Sequence, residues 1–160
     1  MKRVYARESW CINCRRCEVA CKAAHSQSHD LIRAFLLEEE TAISRIHVEG
    51  DALLSIAMSC RHCDEARCVE ACISGAMQKD PETGVVFCDQ SRCVGCRSCM
   101  SACPYGCVEV RILPQAHRNR GLAFKCDLCG EGAGSVGEPA CVLACPNRAL
   151  VFEDVEEVHA

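Results

Sequence analysis

The chain has 160 residues, of which 18 are cysteine, and its 18 basic and 22 acidic side chains leave a formal charge of −4. A balance this close excludes a nucleic-acid binder built on a basic face, and an aromatic content of 4% excludes a core built on large rings. Cysteine at this density signals either a disulfide-stapled secreted domain or a metal protein.

The N-terminus decides between these. The opening "MKRVYARESW" has no apolar run of signal-peptide length and no small-residue cleavage site, and Arg15-Arg16 lies inside a cysteine run, out of place for an export signal. The apolar "ALLSIAM" at 52–58 is too short to cross a bilayer. A soluble, cytoplasmic chain is expected, with its thiols kept reduced and available to metal.

In chain order, "KRVYARE" at 2–8 predicts a strand, followed by a first set of cysteines at Cys11, Cys14, Cys17 and Cys21. Lys22 stands where a proline would stop the helix that follows, so a helix is predicted over 18–29. Segment 30–42 fits a helix or an extended arm equally well. Strands are predicted over 43–49 and 53–59, before a second set at Cys60, Cys63, Cys68 and Cys72, with a helix over 66–72. "KDPETGVVF" reads as a turn between two strands, bent at Pro81 and Gly84. The third set, Cys93, Cys96, Cys99 and Cys103, repeats the spacing of the first and precedes a strand over 108–113. The fourth, Cys126, Cys129, Cys141 and Cys145, opens its middle gap through "GEGAGSVGEPA", and a strand over 149–155 follows. Short helices are expected at 98–103 and 139–145.

Every set ends in C-x3-C, so the chain is an internal repeat. Three thiolates two residues apart on a tight loop can wrap three iron corners of a cubane 4Fe-4S cluster, and a fourth cysteine one helical turn further on reaches a neighbouring cluster. Cys11, Cys14 and Cys17 are thus expected on one cluster and Cys21 on another. Zinc ribbons need two C-x2-C pairs around one ion, which three cysteines at this interval overshoot.

The remaining reactive side chains have plainer readings. Cys88 and Cys107 lie outside the sets and read as small buried apolar residues, with a spare ligand as the alternative. His62, between Cys60 and Cys63, reads as a part-exposed loop histidine or as a hydrogen-bond donor to sulfur. His25 and His29 share a predicted helix face. Arg111, His117, Arg118, Arg120 and Lys125 read as a solvated loop or as a docking surface for an acidic partner.

With sixteen ligands placed, "CINCRRC", "CRHC", "CVGCRSCMSACPYG", "KCDLC" and "PACVLACPNRAL" together resemble the four-cluster, ferredoxin-like electron-transfer subunits. These are the beta-subunit type found beside dimethyl sulfoxide reductase, formate dehydrogenase, hydrogenases, CO dehydrogenase and tungsten-dependent aldehyde oxidoreductase. The resemblance implies an α+β fold of two interleaved 2×[4Fe-4S] units: an outer one of residues 1–50 and 113–160 with motifs one and four, and an inserted inner one of residues 51–112 with motifs two and three. It implies one cluster on Cys11, Cys14, Cys17 and Cys145, and a second on Cys126, Cys129, Cys141 and Cys21. The third would sit on Cys60, Cys63, Cys68 and Cys103, and the fourth on Cys93, Cys96, Cys99 and Cys72. Ala66 and Arg67 stand where such subunits commonly carry two prolines.

No nucleophile with a matched base and no glycine-rich phosphate loop is present, so conduction rather than catalysis is expected of this chain. Single electrons would pass along four [4Fe-4S] clusters in a row, between a catalytic subunit oxidising a low-potential substrate and a flavin or NAD(P) subunit or a ferredoxin. Hetero-oligomeric assembly is expected, with no nucleic acid and no membrane segment of its own. The rivals are a free polyferredoxin shuttle and a zinc-bound scaffold.

Overall fold

The computed structural model describes residues 1–38, 42–51, 53–112, 120–130 and 137–154. In chain order its elements are β1 (Lys2–Ala6), a 3-10 turn (Glu8–Trp10), α1 (Arg16–Ala24), α2 (Leu31–Leu36), β2 (Ile46–Gly50), β3 (Ser55–Ser59) and α3 (Arg67–Glu70). They continue with β4 (Met77–Lys79), β5 (Val86–Cys88), α4 (Ser98–Ala102), β6 (Glu109–Ile112), β7 (Gly121–Phe124), α5 (Ala140–Leu143) and β8 (Leu150–Asp154). The strands form four antiparallel pairs, β1 with β8, β2 with β3, β4 with β5 and β6 with β7. Short helices and two-stranded ribbons make a small mixed α+β chain. It divides into two compact units, Met1–Arg61 with Leu128–Ala160, and His62–Asp127.

In the first unit, β1 and β8 bring the two ends of the chain together, with Val4 opposite Phe152 and Ala6 opposite Leu150. The β2–β3 hairpin turns at Gly50, whose φ of +118° suits only glycine. The Asp51 carboxylate closes this turn by accepting the Leu53 and Leu54 N–H groups at 2.8 and 3.0 Å. Alternation buries Ile46, Val48 and Ala57 on one face. The Glu18 carboxylate of α1 accepts the Val48 N–H at 2.7 Å, tying helix to hairpin.

Helix α1 ends at Ala24, short of the expected residue 29. His25 Nδ1 lies 2.7 Å from the Cys21 carbonyl and the Ser26 hydroxyl donates to the Ala23 carbonyl at 2.7 Å, so two side chains join the backbone N–H groups of the same residues on carbonyls of the last turn. Lys22 lies over the Phe35 ring of α2 at 5.9 Å. Segment 30–42 starts as a helix, with Asp30 accepting the Arg33 N–H at 2.9 Å, and residues 39–41 lie outside the described residues. Leu31, Ile32, Leu36 and Leu37 are exposed there.

In the second unit, β4 and β5 pair Met77 with Cys88 across the expected turn. Asp80 accepts the Glu82 and Thr83 N–H groups at that turn, at 2.8 and 3.0 Å. Helix α3 stops at Glu70 although no proline follows Cys72. The Cys72 carbonyl accepts the Gly75 N–H at 3.1 Å and turns the chain into β4. Strand β7 lies where the sequence reads as a solvated basic loop.

Each unit has its own small core, and both cores are partly cysteine. The first gathers Val4, Ile46, Val48, Ala57 and Leu150 with Cys17, Cys21 and Cys141. The second gathers Ala66, Ala76, Met77, Val86, Val108 and Ala123 with Cys93 and Cys99. Among the described residues no helix is long and apolar enough to cross a membrane.

Candidate metal centre

The four cysteine loops share one backbone device. In the first C-x2-C pair of each set the residue just before the second cysteine is left-handed: Asn13 (φ +55°), His62 (+44°), Gly95 (+71°) and Leu128 (+58°). Arg15 and Arg97, immediately after Cys14 and Cys96, are left-handed too and lead into α1 and α4. Side chains other than glycine resist this conformation, at about 1–2 kcal/mol per residue. A left-handed residue repeated at one position in every loop, strained in the three loops where it is not glycine, marks a site where backbone shape is imposed by function.

In the first unit, Cys11, Cys14, Cys17 and Cys145 line a single cavity with about 330 Å³ of empty space. Its other walls include Val48, Ala57, Pro146 and Leu150, so the four thiols face an apolar space. Hydrogen bonds hold the loop: the Ser55 hydroxyl donates to the Cys11 carbonyl at 3.1 Å and Asn147 Nδ2 to the Trp10 carbonyl at 2.6 Å. The Ala149 N–H donates to Cys145 Sγ at 3.2 Å.

The second unit holds a matching arrangement. Cys72, Cys93, Cys96 and Cys99 line a cavity of about 310 Å³, walled by Ala76, Met77, Val110 and Ala123. The Met77 N–H donates to Cys72 Sγ at 3.3 Å, and Cys96 Sγ lies 3.4 Å from the Ser98 hydroxyl. All the cysteines lining these two cavities are free thiols. Donors of this kind, spread around an apolar space and supplied with N–H···S bonds, fit an iron–sulfur cluster.

The other eight motif cysteines line neither of these cavities. Cys21, Cys60, Cys126 and Cys141 are buried, and Cys63, Cys68, Cys103 and Cys129 are half-buried. The Arg45 N–H donates to Cys21 Sγ at 3.2 Å, so fourth-position sulfurs of motifs one, two and four each accept a backbone N–H.

Burial pushes the Cys17 thiol up to about 11, and burial with the neighbouring Cys93 does the same to Cys99. At Cys72, burial pushes up, but the Met77 N–H and Ser74 hydroxyl outweigh it and the thiol falls below its ordinary value. Cys21 follows the same pattern, with His25 and the Arg45 N–H overcoming burial. Cys96 is lowered by the Ser98 hydroxyl.

Two side chains differ from their sequence reading, and a third, Cys88, keeps to it. His62 is 0% exposed rather than part-exposed, and its Nδ1 accepts the Val86 N–H at 3.0 Å. Lys125, read as part of a solvated basic run, is 4% exposed, and its ammonium donates to the Val86 carbonyl and, at 2.6 Å, to the Cys126 carbonyl. Cys88 lies on the wall of the cavity formed by Cys72, Cys93, Cys96 and Cys99. Of the rest of the basic run, Arg111 pairs with Glu109, and Arg120 reaches the Gln90 and Ser91 carbonyls. His117 and Arg118 lie outside the described residues. Cys107 is buried and its thiol donates to the Tyr105 carbonyl at 3.3 Å. His25 and His29 turn to the carbonyls of Cys21 and Ala24.

Residues 52–155 match the 4Fe-4S dicluster domain, and residues 8–24 match a 4Fe-4S binding domain. The chain is 40% identical over 161 residues to the electron transport protein HydN of Escherichia coli (strain K12), covering 94% of this chain and 87% of that one. It is 39% identical to an iron-sulfur protein of Rhodospirillum rubrum, over 96% of this chain and 82% of that one. It is 37% identical to the thiosulfate reductase electron transfer subunit PhsB of Salmonella typhi, over 94% of this chain and 74% of that one. On the repeated cysteine loops, the thiol-lined cavities and these matches, the chain belongs to the ferredoxin-type iron–sulfur electron-transfer proteins of the 4Fe-4S dicluster family.

Proposed function

We propose that the chain is the electron-transfer subunit of an oxidoreductase complex and holds four [4Fe-4S] clusters on sixteen cysteines. The assignment follows the four motifs: Cys11, Cys14, Cys17 and Cys145; Cys126, Cys129, Cys141 and Cys21; Cys60, Cys63, Cys68 and Cys103; Cys93, Cys96, Cys99 and Cys72. Motifs one and four would form one ferredoxin-like unit and motifs two and three the other. The observation that carries the reading is the pair of cavities, each gathering three thiols of one loop and the last thiol of a different motif. That exchange of fourth cysteines is what two-cluster ferredoxin architecture requires.

When bound, such clusters supply one-electron couples that in series conduct between a catalytic subunit and an acceptor. The protein supplies the rest. Val48, Ala57 and Leu150 at the first cavity, and Ala76, Met77 and Val110 at the second, give the sulfurs an apolar wall, with Cys14 and Cys96 at its exposed edge. The N–H groups of Arg45, Met77 and Ala149 offset thiolate charge. With a charge of −4 on the polypeptide and about −2 on each oxidised cluster, such donors are needed throughout.

The chain itself is read as conducting rather than catalysing, with a low-potential oxidoreductase on one side and a flavoprotein or ferredoxin on the other. HydN and PhsB, named for electron transport and electron transfer, support this. The exposed leucines of α2 support a partnered subunit over a free shuttle.

Anaerobic reconstitution followed by iron and acid-labile sulfide assay tests the reading, with about sixteen of each expected per chain. About eight of each, or stoichiometric zinc with little iron, would end it. Native gel filtration separates subunit from shuttle, because elution only near 17.5 kDa removes the partner.

A further inference from the structure

Cys88 belongs to none of the four motifs, yet it faces the same cavity as Cys72, Cys93, Cys96 and Cys99. Its position comes from the β4–β5 ladder, where it pairs with Met77. The Met77 N–H holds Cys72 Sγ, so one rung of this ribbon carries both a motif cysteine and the extra thiol. The Asp89 N–H donates to the Ala76 carbonyl at 2.8 Å just beyond it, and Val86 is anchored at both its N–H and its carbonyl just before it. Cys88 is therefore presented on a fixed backbone. Among the thiols of this cavity Cys93 is the nearest to it in the chain, brought back by a turn in which the Arg92 N–H donates to the Asp89 carbonyl at 3.2 Å and the Cys93 N–H to the Gln90 carbonyl at 3.3 Å.

We propose that Cys88 is a fifth sulfur donor of this site, a reserve ligand that takes the iron corner of Cys93 when that thiolate is lost. The inference rests on the cluster assignment above. In the exchange an iron–sulfur bond to Cys93 breaks and one to Cys88 forms. Cys88 gives up its thiol proton, Cys93 takes up a proton, and no electron moves. Five thiols around a space that uses four give this site a redundancy that the cavity of Cys11, Cys14, Cys17 and Cys145, with no fifth cysteine on its wall, does not share.

The test uses the full chain, reconstituted anaerobically, with iron content and the EPR signal of oxidised three-iron clusters as readouts. Cys88→Val alone keeps wild-type iron. Cys93→Ala keeps a four-iron site because Cys88 replaces the missing ligand, whereas Cys88→Val with Cys93→Ala shows about one three-iron cluster per chain or loses the site. A Cys93→Ala protein that loses as much iron as the double variant overturns the proposal, as does loss of the cluster from Cys88→Val alone. If Cys93→Ala does not give folded protein, the same pair of measurements on Cys99→Ala, on the same wall, decides the matter. Iron content unchanged after replacing Cys72, Cys93, Cys96 and Cys99 together would instead remove the cluster assignment, a result distinct from failure of the reserve ligand.

Discussion

His62 and Lys125 hold the same residue from opposite sides: the Val86 N–H donates to His62 Nδ1 at 3.0 Å, and the Val86 carbonyl accepts from the Lys125 ammonium. Both side chains are buried, and Val86 opens the strand that ends in Cys88. Replacing either leaves a buried backbone group without its partner, at about 1–3 kcal/mol. His62→Ala and Lys125→Met are each expected to lower the urea midpoint of the iron-loaded protein by a corresponding amount. Wild-type midpoints in both would show that the clamp contributes nothing.

Cys145 and Cys107 make a contrasting pair. Cys145 lies on the wall of the first cavity and accepts the Ala149 N–H, whereas Cys107 donates to the Tyr105 carbonyl outside both described cavities. Cys145→Ala is expected to lower iron content by about one to four atoms per chain. Cys107→Ala should leave iron unchanged and cost about 1 kcal/mol. Equal iron in the two variants contradicts the assignment.

Gly95 is the residue in the third loop that its left-handed position demands. A Cβ there would sit 2.4 Å from the Gly121 carbonyl oxygen at the start of β7, besides meeting the strain of φ +71°. Gly95→Ala is expected to cost roughly 1–3 kcal/mol or more and to reduce iron at the Cys72, Cys93, Cys96 and Cys99 site. Full iron occupancy with unchanged thermal stability would rule this out.

Burial raises Cys17 and Cys99 to about 11 in the metal-free folded chain, against an ordinary 9.0. Between those values the folded chain keeps protons that the unfolded chain has released. Stability of the metal-free fold is thus unaffected by these groups below pH 9 and falls as pH rises from 9 toward 11. Far-UV circular dichroism with urea, compared at about pH 8 and about pH 10.5, reads this directly. Cys17→Ser should shrink the fall above pH 9 relative to wild type, and a fall of the same size in both proteins would contradict the assignment.

The strands at the two ends were legible because "KRVYA" and "LVFED" alternate, and the β2–β3 hairpin because Ile46, Val48 and Ala57 recur at every second position. The cysteine loops were legible from spacing alone. The sharing of Cys145 with Cys11, Cys14 and Cys17 came only from resemblance, since spacing does not say which distant thiol closes a set. Lys125 and His62 were misread because charge and polarity predict exposure, whereas burial here follows from the carbonyls and N–H group that each reaches. Strand β7 was hidden inside a run that counts as basic, although its flanking cations are Arg120, which reaches backbone carbonyls, and the buried Lys125. The role of Cys88 depends on strand register, which composition does not encode.

The pairing of β1 with β8 sets an order on biosynthesis. Every residue of the unit of residues 62–127 is synthesised before α5 and β8, so none of its partners has to be awaited. The opening strand, with Lys2 opposite Asp154, must wait until β8 has been made, and Cys11, Cys14 and Cys17 stay without Cys145 until α5 has passed. During translation the earliest thiols are the last to be enclosed, which makes the nascent N-terminal segment the part most in need of protection from oxygen.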